Sequence, residues 1–357
     1  YRMATFAFLM LAALFLMAQS SFADNHLPSG RVSDVRNTKH NLSSLSSAAD
    51  RTVVADTESE ICIFCHTPHG ANLQAEGPLW NRSLNETDTY TLYDSASLDA
   101  TVNQPNSISK LCLSCHDGTI AIGSVRVKRG AWVNGTTSIS MSGVEGDGTM
   151  PVGTGANTGF TRRLGTDLTN DHPISFTYDS NLANNDGEMR DPGAEAHIGD
   201  RSSGNAPHVP LENGQVQCNS CHDPHIRDEL DPSLSIKFLR LNRFQKVSPS
   251  GGAFSEANDI ICLACHDKAG WAGSAHASEQ VANETYTDTA ANLRDFPDST
   301  SPGGSTAVWE TACLACHDTH TVQGSRRLLR EGTDGPTVSG AKQGGNAAVE
   351  ETCYACH

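Results

Sequence analysis

Every cysteine of this chain lies in one five-residue pattern, and that constrains the fold more than any other feature. The twelve cysteines form six copies of C-x-x-C-H. They are Cys62, Cys65 and His66; Cys112, Cys115 and His116; Cys218, Cys221 and His222; Cys262, Cys265 and His266; Cys313, Cys316 and His317; and Cys353, Cys356 and His357. A disulfide framework uses an even cysteine count but gives no reason for a His after every second Cys. Zinc ribbons use C-x-x-C pairs without a fixed trailing His. A thioredoxin-like pair occurs once, near a βαβ pattern. With 15 histidines in 357 residues, chance does not place one after each of six pairs.

C-x-x-C-H is the attachment pattern of c-type haem. Two thiols about one helical turn apart can each bond one vinyl group of a single haem. The following His then reaches the iron from beneath the ring. The expectation is six covalently bound haem c groups. Composition points the same way. Hydrophobic residues make up 37% and aromatic residues 6%, too little apolar side chain to offset ordering entropy unaided. Large apolar cofactors would supply the missing core and couple folding to their binding. The fold class expected is mostly irregular and loop-rich, with short helices around a closely packed haem chain and few short strands.

Nine histidines lie outside the motifs: His26, His40, His69, His172, His197, His208, His225, His276 and His320. The first, third and fifth motifs extend to C-x-x-C-H-x-x-H through His69, His225 and His320. A His three residues beyond a proximal ligand lies on the proximal side of its own haem. If it binds iron, that iron belongs to a neighbour, and the two rings must nearly touch. Six distal ligands are expected: His40, His69, His172, His225, His276 and His320. His197 and His208 are alternatives to His172. The mature chain has only Met141, Met150 and Met189 as thioether candidates, all in its middle. Bis-histidine iron, which has no open coordination position, is therefore expected, and it suits electron transfer more than bond chemistry.

The alternation of doubled and single motifs suggests three two-haem modules. Residues 24–130 hold His40, His66, His69 and His116. Residues 131–268 hold His172, His222, His225 and His266 behind an insertion rich in Gly, Ser and Thr. Residues 269–357 hold His276, His317, His320 and His357. Residues 236–244 (IKFLRLNRF) are ambiguous between strand and helix, and residues 325–330 (SRRLLR) form a small basic cluster.

Residues 1–23 read as a secretory signal peptide. Arg2 precedes an apolar run over 3–17, and Ser21-Phe22-Ala23 is a small-x-small cleavage site. The run falls short of the ~20 residues that span a bilayer. Because the sequence opens on Tyr1, Met3 is the expected start. Because it stops on the ligand His357, further chain and further haems are expected beyond it. The net charge is −16, which disfavours nucleic acid and fits cationic redox partners or metal ions.

The segments EICIFCHTPHGAN, PLWNRS, SKLCLSCHDGTIAIGSV, NDHPISF, QCNSCHDPH and ETCYACH resemble multihaem c-type cytochromes with doubled motifs from metal-reducing bacteria. The resemblance implies bis-histidine haems, a periplasmic or extracellular place, and respiratory electron transfer toward metals or other external acceptors. Some such cytochromes polymerise into filaments. Three roles follow as expectations: an electron carrier, a filament subunit in which His26 or His40 ligates a haem of the next copy, or a multihaem reductase. The reductase is disfavoured because no C-x-x-C-K occurs.

Overall fold

The structure is a computed structural model, and it describes residues 27–45, 51–85, 89–128, 131–152, 162–200, 207–230, 237–320, 322, 326–330, 353 and 357. Residues 1–23, expected to be a signal peptide, and His26 and Cys356 lie outside the described residues. Helix amounts to 19% and strand to 15%, so irregular chain dominates. No helix among the described residues is long and apolar enough to cross a membrane.

The strands are β1 (Arg31–Ser33), β2 (Val54–Ala55), β3 (Ser124–Lys128), β4 (Ala131–Ser138), β5 (Met141–Ser142), β6 (Phe176–Thr177), β7 (Ile198–Gly199), β8 (Val209–Pro210), β9 (Gln215–Val216) and β10 (Ile226–Asp228). They form two-stranded pairs only: β1 with β10, β2 with β5, β3 with β4, β6 with β9, and β7 with β8. A lone pair of strands is marginal in water. These pairs clip distant loops together rather than build a layer. β1 lies antiparallel to β10 with Ser33 opposite Ile226, which ties the N-terminal segment to the residue after His225.

The helices are α1 (Ser107–His116), α2 (Ser180–Asp186), α3 (Cys218–Cys221), α4 (Asp288–Arg294) and α5 (Val308–Thr311). α1 buries Leu111 and Leu113 and carries the second motif on its last turn. Just beyond its end stands Gly118 at φ +75°, where a Cβ would lie 2.3 Å from Arg163 Nε. Only glycine suits that left-handed position. Asp179 and Thr287 cap α2 and α4 through their side chains.

Buried apolar residues form several small clusters instead of one core, and four have motif cysteines on their margins. Cys65 borders Ile63, Phe64 and Val125, and Cys115 borders Val53 and Ile122. Cys265 borders Phe176, Tyr178 and Leu241, and both Cys262 and Cys313 border Ile260 and Leu263. Of the five ring pairs described below, three lie within the segments 24–130, 131–268 and 269–357, and two cross those boundaries.

Candidate functional site

Each motif turns on the same backbone bond. The His N–H donates to the first Cys carbonyl at 2.7 Å in the first motif, 3.0 Å in the third and fourth, and 2.9 Å in the fifth and sixth. The second motif makes its turn inside α1. One α-type turn therefore presents two thiols and an imidazole together.

A strap crosses four of the motifs in the same way. Thr67, Asp223 and Asp318 donate their N–H to Leu79 O, Phe238 O and Leu328 O, and Asp267 donates to Glu188 O. The next residue but one returns an N–H to the second cysteine carbonyl: Asn81 to Cys65, Arg240 to Cys221, Arg330 to Cys316, Arg190 to Cys265. Its side chain then binds the carbonyl just after the first cysteine. Asn81 Nδ2 reaches Ile63 O at 2.7 Å, Arg240 Nε reaches Asn219 O at 2.7 Å, Arg330 Nε reaches Leu314 O at 2.7 Å, and Arg190 Nε reaches Leu263 O at 2.8 Å. Arg240 pairs with Asp223 at 3.1 Å and Arg330 with Asp318 at 2.7 Å, all four side chains largely buried. Leu79, Phe238 and Leu328 have positive φ (52°, 57°, 53°), a strained conformation for side-chain-bearing residues that the strap bonds hold in place.

The strap explains two segments the sequence left open. Residues 237–241 are neither a regular strand nor a helix but the strap of the third motif. Arg330, in the basic cluster, is committed to the fifth motif through Leu314 and Asp318. Sequence reading missed the repeat because the straps sit 12, 15 and 10 residues from their histidines, judged by the carbonyls those imidazoles meet.

The straps and loops also orient the imidazoles. Nδ1 of His66 bonds Pro78 O at 2.7 Å, His116 bonds Arg162 O at 2.6 Å, His222 bonds Lys237 O at 2.7 Å, and His317 bonds Arg327 O at 2.8 Å. A carbonyl can only accept, so each Nδ1 carries the proton and each Nε2 keeps its lone pair.

Five motif histidines face a second histidine. Ring centres are 6.2 Å apart for His66 and His225, 6.2 Å for His116 and His40, and 6.0 Å for His222 and His320. They are 6.3 Å apart for His266 and His172, and 6.0 Å for His357 and His276. Contacting aromatic rings spread over about 4.5–7 Å, so a 0.3 Å window across five independent pairs is narrow. A metal–imidazole bond is about 2 Å, and the ring centre lies about 1.1 Å further back, so two imidazoles on one metal have centres about 6.2 Å apart. Among the described residues no three His, Cys, Asp or Glu side chains converge on one point. The histidines come in twos.

Burial keeps five of these ten rings neutral. Burial, with repulsion from His116, lowers His40 to about 3, and its buried Nδ1 has no hydrogen-bond partner. Burial likewise lowers His266 to about 3 and His222 to about 4, and it lowers His116 and His172. His320 differs: burial pulls it down, but the Asp171 carboxylate more than offsets this and raises it. Neutral imidazole is the form that binds metal. Burial also pushes the Cys65 and Cys265 thiols up to about 12 and Cys221 up to about 11, so they stay protonated. The eleven described cysteines are free of disulfides.

The thiols give the order of the motifs in space. Cys65 lies within electrostatic reach of Cys115, Cys112 hydrogen-bonds Cys218, Cys221 lies within reach of Cys265, and Cys262 hydrogen-bonds Cys313. Second cysteines meet between motifs one and two and between three and four. First cysteines meet between two and three and between four and five. The first five motifs thus follow one another in sequence order.

Of the expected distal ligands, His40, His172, His225, His276 and His320 each face a motif histidine. His69 does not; it is exposed. His317 faces no second histidine ring among the described residues. His197 bonds Ala264 O through Nε2, and His208 bonds Glu256 at 2.6 Å; neither is paired with a motif ring. The Asp residues beside the distal histidines were not singled out in the sequence, although Asp follows the motif histidine at positions 117, 223, 267 and 318.

No family model matches this chain, and no curated protein matches it.

Proposed function

We propose that this protein is a multihaem c-type cytochrome, an electron carrier that holds six covalently attached haems in a row in an extracytoplasmic respiratory pathway. The observation that carries this reading is the five facing histidine pairs at 6.0–6.3 Å, each joining one motif histidine to one outside the motifs. The residues fit the group. Cys62 and Cys65, and the corresponding pairs through Cys353 and Cys356, would bind the porphyrin edges, and the facing imidazoles would take its two axial positions. When bound, haem supplies a one-electron iron couple. The chain supplies spacing: thiols of the first five motifs lie within hydrogen-bond or electrostatic reach of the next motif's, and His222 with His225, like His317 with His320, tie alternate sites together within three residues. With both facing imidazoles on the iron, no position would remain for a substrate, which favours a carrier over a reductase. The acidic surface suits cationic redox partners or metal ions as acceptors.

The experiment is to mature the protein in a haem-attaching host and record its intact mass and oxidised spectrum. The expected result is six haems and only low-spin iron in the assembled protein. A matured chain that retains free thiols would overturn the reading.

A second reading, a filament subunit, is favoured by two expected ligands, His69 and His317, that face no second histidine ring among the described residues. His225 serves the first motif from the third, and His320 serves the third from the fifth. Extending that step, His317 of the fifth motif needs the histidine three residues past a first motif, which is the exposed His69 of another copy. His40, a donor in the sequence-based version of this idea, faces His116 in its own chain; His26 lies outside the described residues. A head-to-tail contact that does not close generates a filament. In this reading His69→Ala abolishes fibres in negative-stain microscopy and leaves one haem in six without its second histidine. Wild-type holoprotein that stays monomeric with six low-spin haems would contradict it.

A further inference from the structure

The facing pairs fall into two classes that alternate along the row. The rings of His66 and His225 are inclined at 20°, and those of His222 and His320 at 29°. Those of His116 and His40 are at 71°, and those of His266 and His172 and of His357 and His276 are both at 73°. The first and third motifs have near-parallel imidazoles, and the second, fourth and sixth near-perpendicular ones.

The second imidazole differs in its hydrogen bond as well. On the first and third motifs it reaches a carboxylate: His225 Nδ1 to Asp223 Oδ1 at 2.9 Å, and His320 Nδ1 to Asp171 Oδ1 at 3.2 Å. On the second and fourth motifs it does not. His172 Nδ1 bonds the neutral Pro173 carbonyl at 3.0 Å, and His40 Nδ1 is buried without a partner.

We propose that Asp223 and Asp171 are positioning residues that, with ring orientation, hold the first and third haems at lower potential than the second, fourth and sixth. The inference rests on the cytochrome reading above. A carboxylate accepting the Nδ1–H makes an imidazole a stronger donor and stabilises ferric over ferrous iron. Orientation acts in the same direction. Parallel imidazoles raise one of the two iron dπ orbitals above the other. Low-spin ferric iron gains by placing its hole in the raised orbital, and ferrous iron, with both filled, gains nothing. Perpendicular imidazoles leave the two nearly degenerate. An electron on the row therefore rests on the second, fourth and sixth haems and crosses the first and third.

The test is low-temperature electron paramagnetic resonance of the six-haem protein during stepwise reduction. Split dπ orbitals give a rhombic ferric signal and near-degenerate ones a signal of large maximum g. The expected result is both signals when fully oxidised, with the large-g signal lost first. Loss of the rhombic signal first, or of both together, overturns the proposal. In Asp171→Asn and Asp223→Asn, each with six haems by mass, one rhombic component moves to higher potential and the large-g signal titrates as in wild type. Asp→Glu at the same positions restores the order. Unchanged potentials in both Asn variants also overturn the proposal. If a variant does not mature, the wild-type order of reduction decides. A haem count below six in the wild type counts against the cytochrome reading itself, whereas six haems titrating in one class count against this inference alone.

Discussion

His225 is three residues from His222, yet its imidazole faces His66 at 6.2 Å, in a motif far earlier in the chain. The β1–β10 pair and the bond from Asp34 N–H to His225 O hold it there. The same displacement recurs where His320, three residues from His317, faces His222. Two short peptides thus each reach two alternate motifs of the row, and the distance between those motifs is limited by covalent geometry.

Replacing His225 is therefore expected to affect the first haem and not the third, although the residue sits beside the third motif. In His225→Ala, one haem in six becomes high-spin and all six remain attached. Resonance Raman spin-state markers check the fraction. Combining His225→Ala with removal of the first attachment site through Cys62→Ala and Cys65→Ala should leave the remaining haems with no more high-spin iron than the attachment-site variant alone. An additional high-spin haem in the combined variant would show that His225 serves another site.

His172 and His208 are separated by a similar comparison. His172 faces His266, whereas His208 is engaged by Glu256. His172→Ala should generate one high-spin haem and His208→Ala none. The second variant should carry only a small stability loss, under about 1 kcal/mol, since the partly exposed pair is screened by solvent. The hydrogen bond from His208 lowers the Glu256 carboxyl. The stability from that shift is present above the ordinary glutamate value and lost as pH falls through the lowered one. The His208→Ala deficit, read from denaturant melts, should therefore shrink on acidification below about pH 4.

The buried clasp of Arg330 on Asp318 gives a larger effect. Arg330→Met strips a buried carboxylate of its partner, which costs about 3–5 kcal/mol. Arg330→Met with Asp318→Asn should recover much of that loss. Burial already raises Asp318 above its ordinary 3.8 despite Arg330. For an acid with a raised folded value, stability declines as pH rises between the unfolded and folded values. Without Arg330 the folded value rises further, so the single variant should be least impaired near pH 4 and most impaired at neutral pH.

The six C-x-x-C-H motifs were legible in the sequence because their spacing is local, and five of the six histidines expected opposite them do face a motif histidine. The assignment of His225 and His320 to earlier motifs was legible only as a rule that they serve a neighbour. Which neighbour depends on β1–β10 and on the contact of Asp171 with His320, both long-range. The straps were hidden for another reason. They share a role through backbone bonds, and Leu79-Trp80-Asn81, Phe238-Leu239-Arg240 and Leu328-Leu329-Arg330 have little in common beyond a large apolar pair and a polar side chain. Small separate apolar clusters, in place of one core, follow from a chain with 37% hydrophobic residues.

Chain expressed without haem attachment should lack a cooperative transition. Clusters as small as Val53, Ile122 and Met150 bury too little apolar surface to order the surrounding loops. Circular dichroism melts of the unmatured chain, set against the matured one, check this. A sharp transition in the unmatured chain would mean that the protein alone supplies its core.

The central claim is that the facing imidazoles grip haem iron. X-ray absorption at the iron edge of the purified, matured protein tests it most directly, because it reports the nearest neighbours of every iron at once. The account expects all-nitrogen coordination with two axial imidazoles on at least five irons of six. Iron carrying sulfur ligands, or a purified sample with no iron while its thiols titrate as free or bridged, would contradict it.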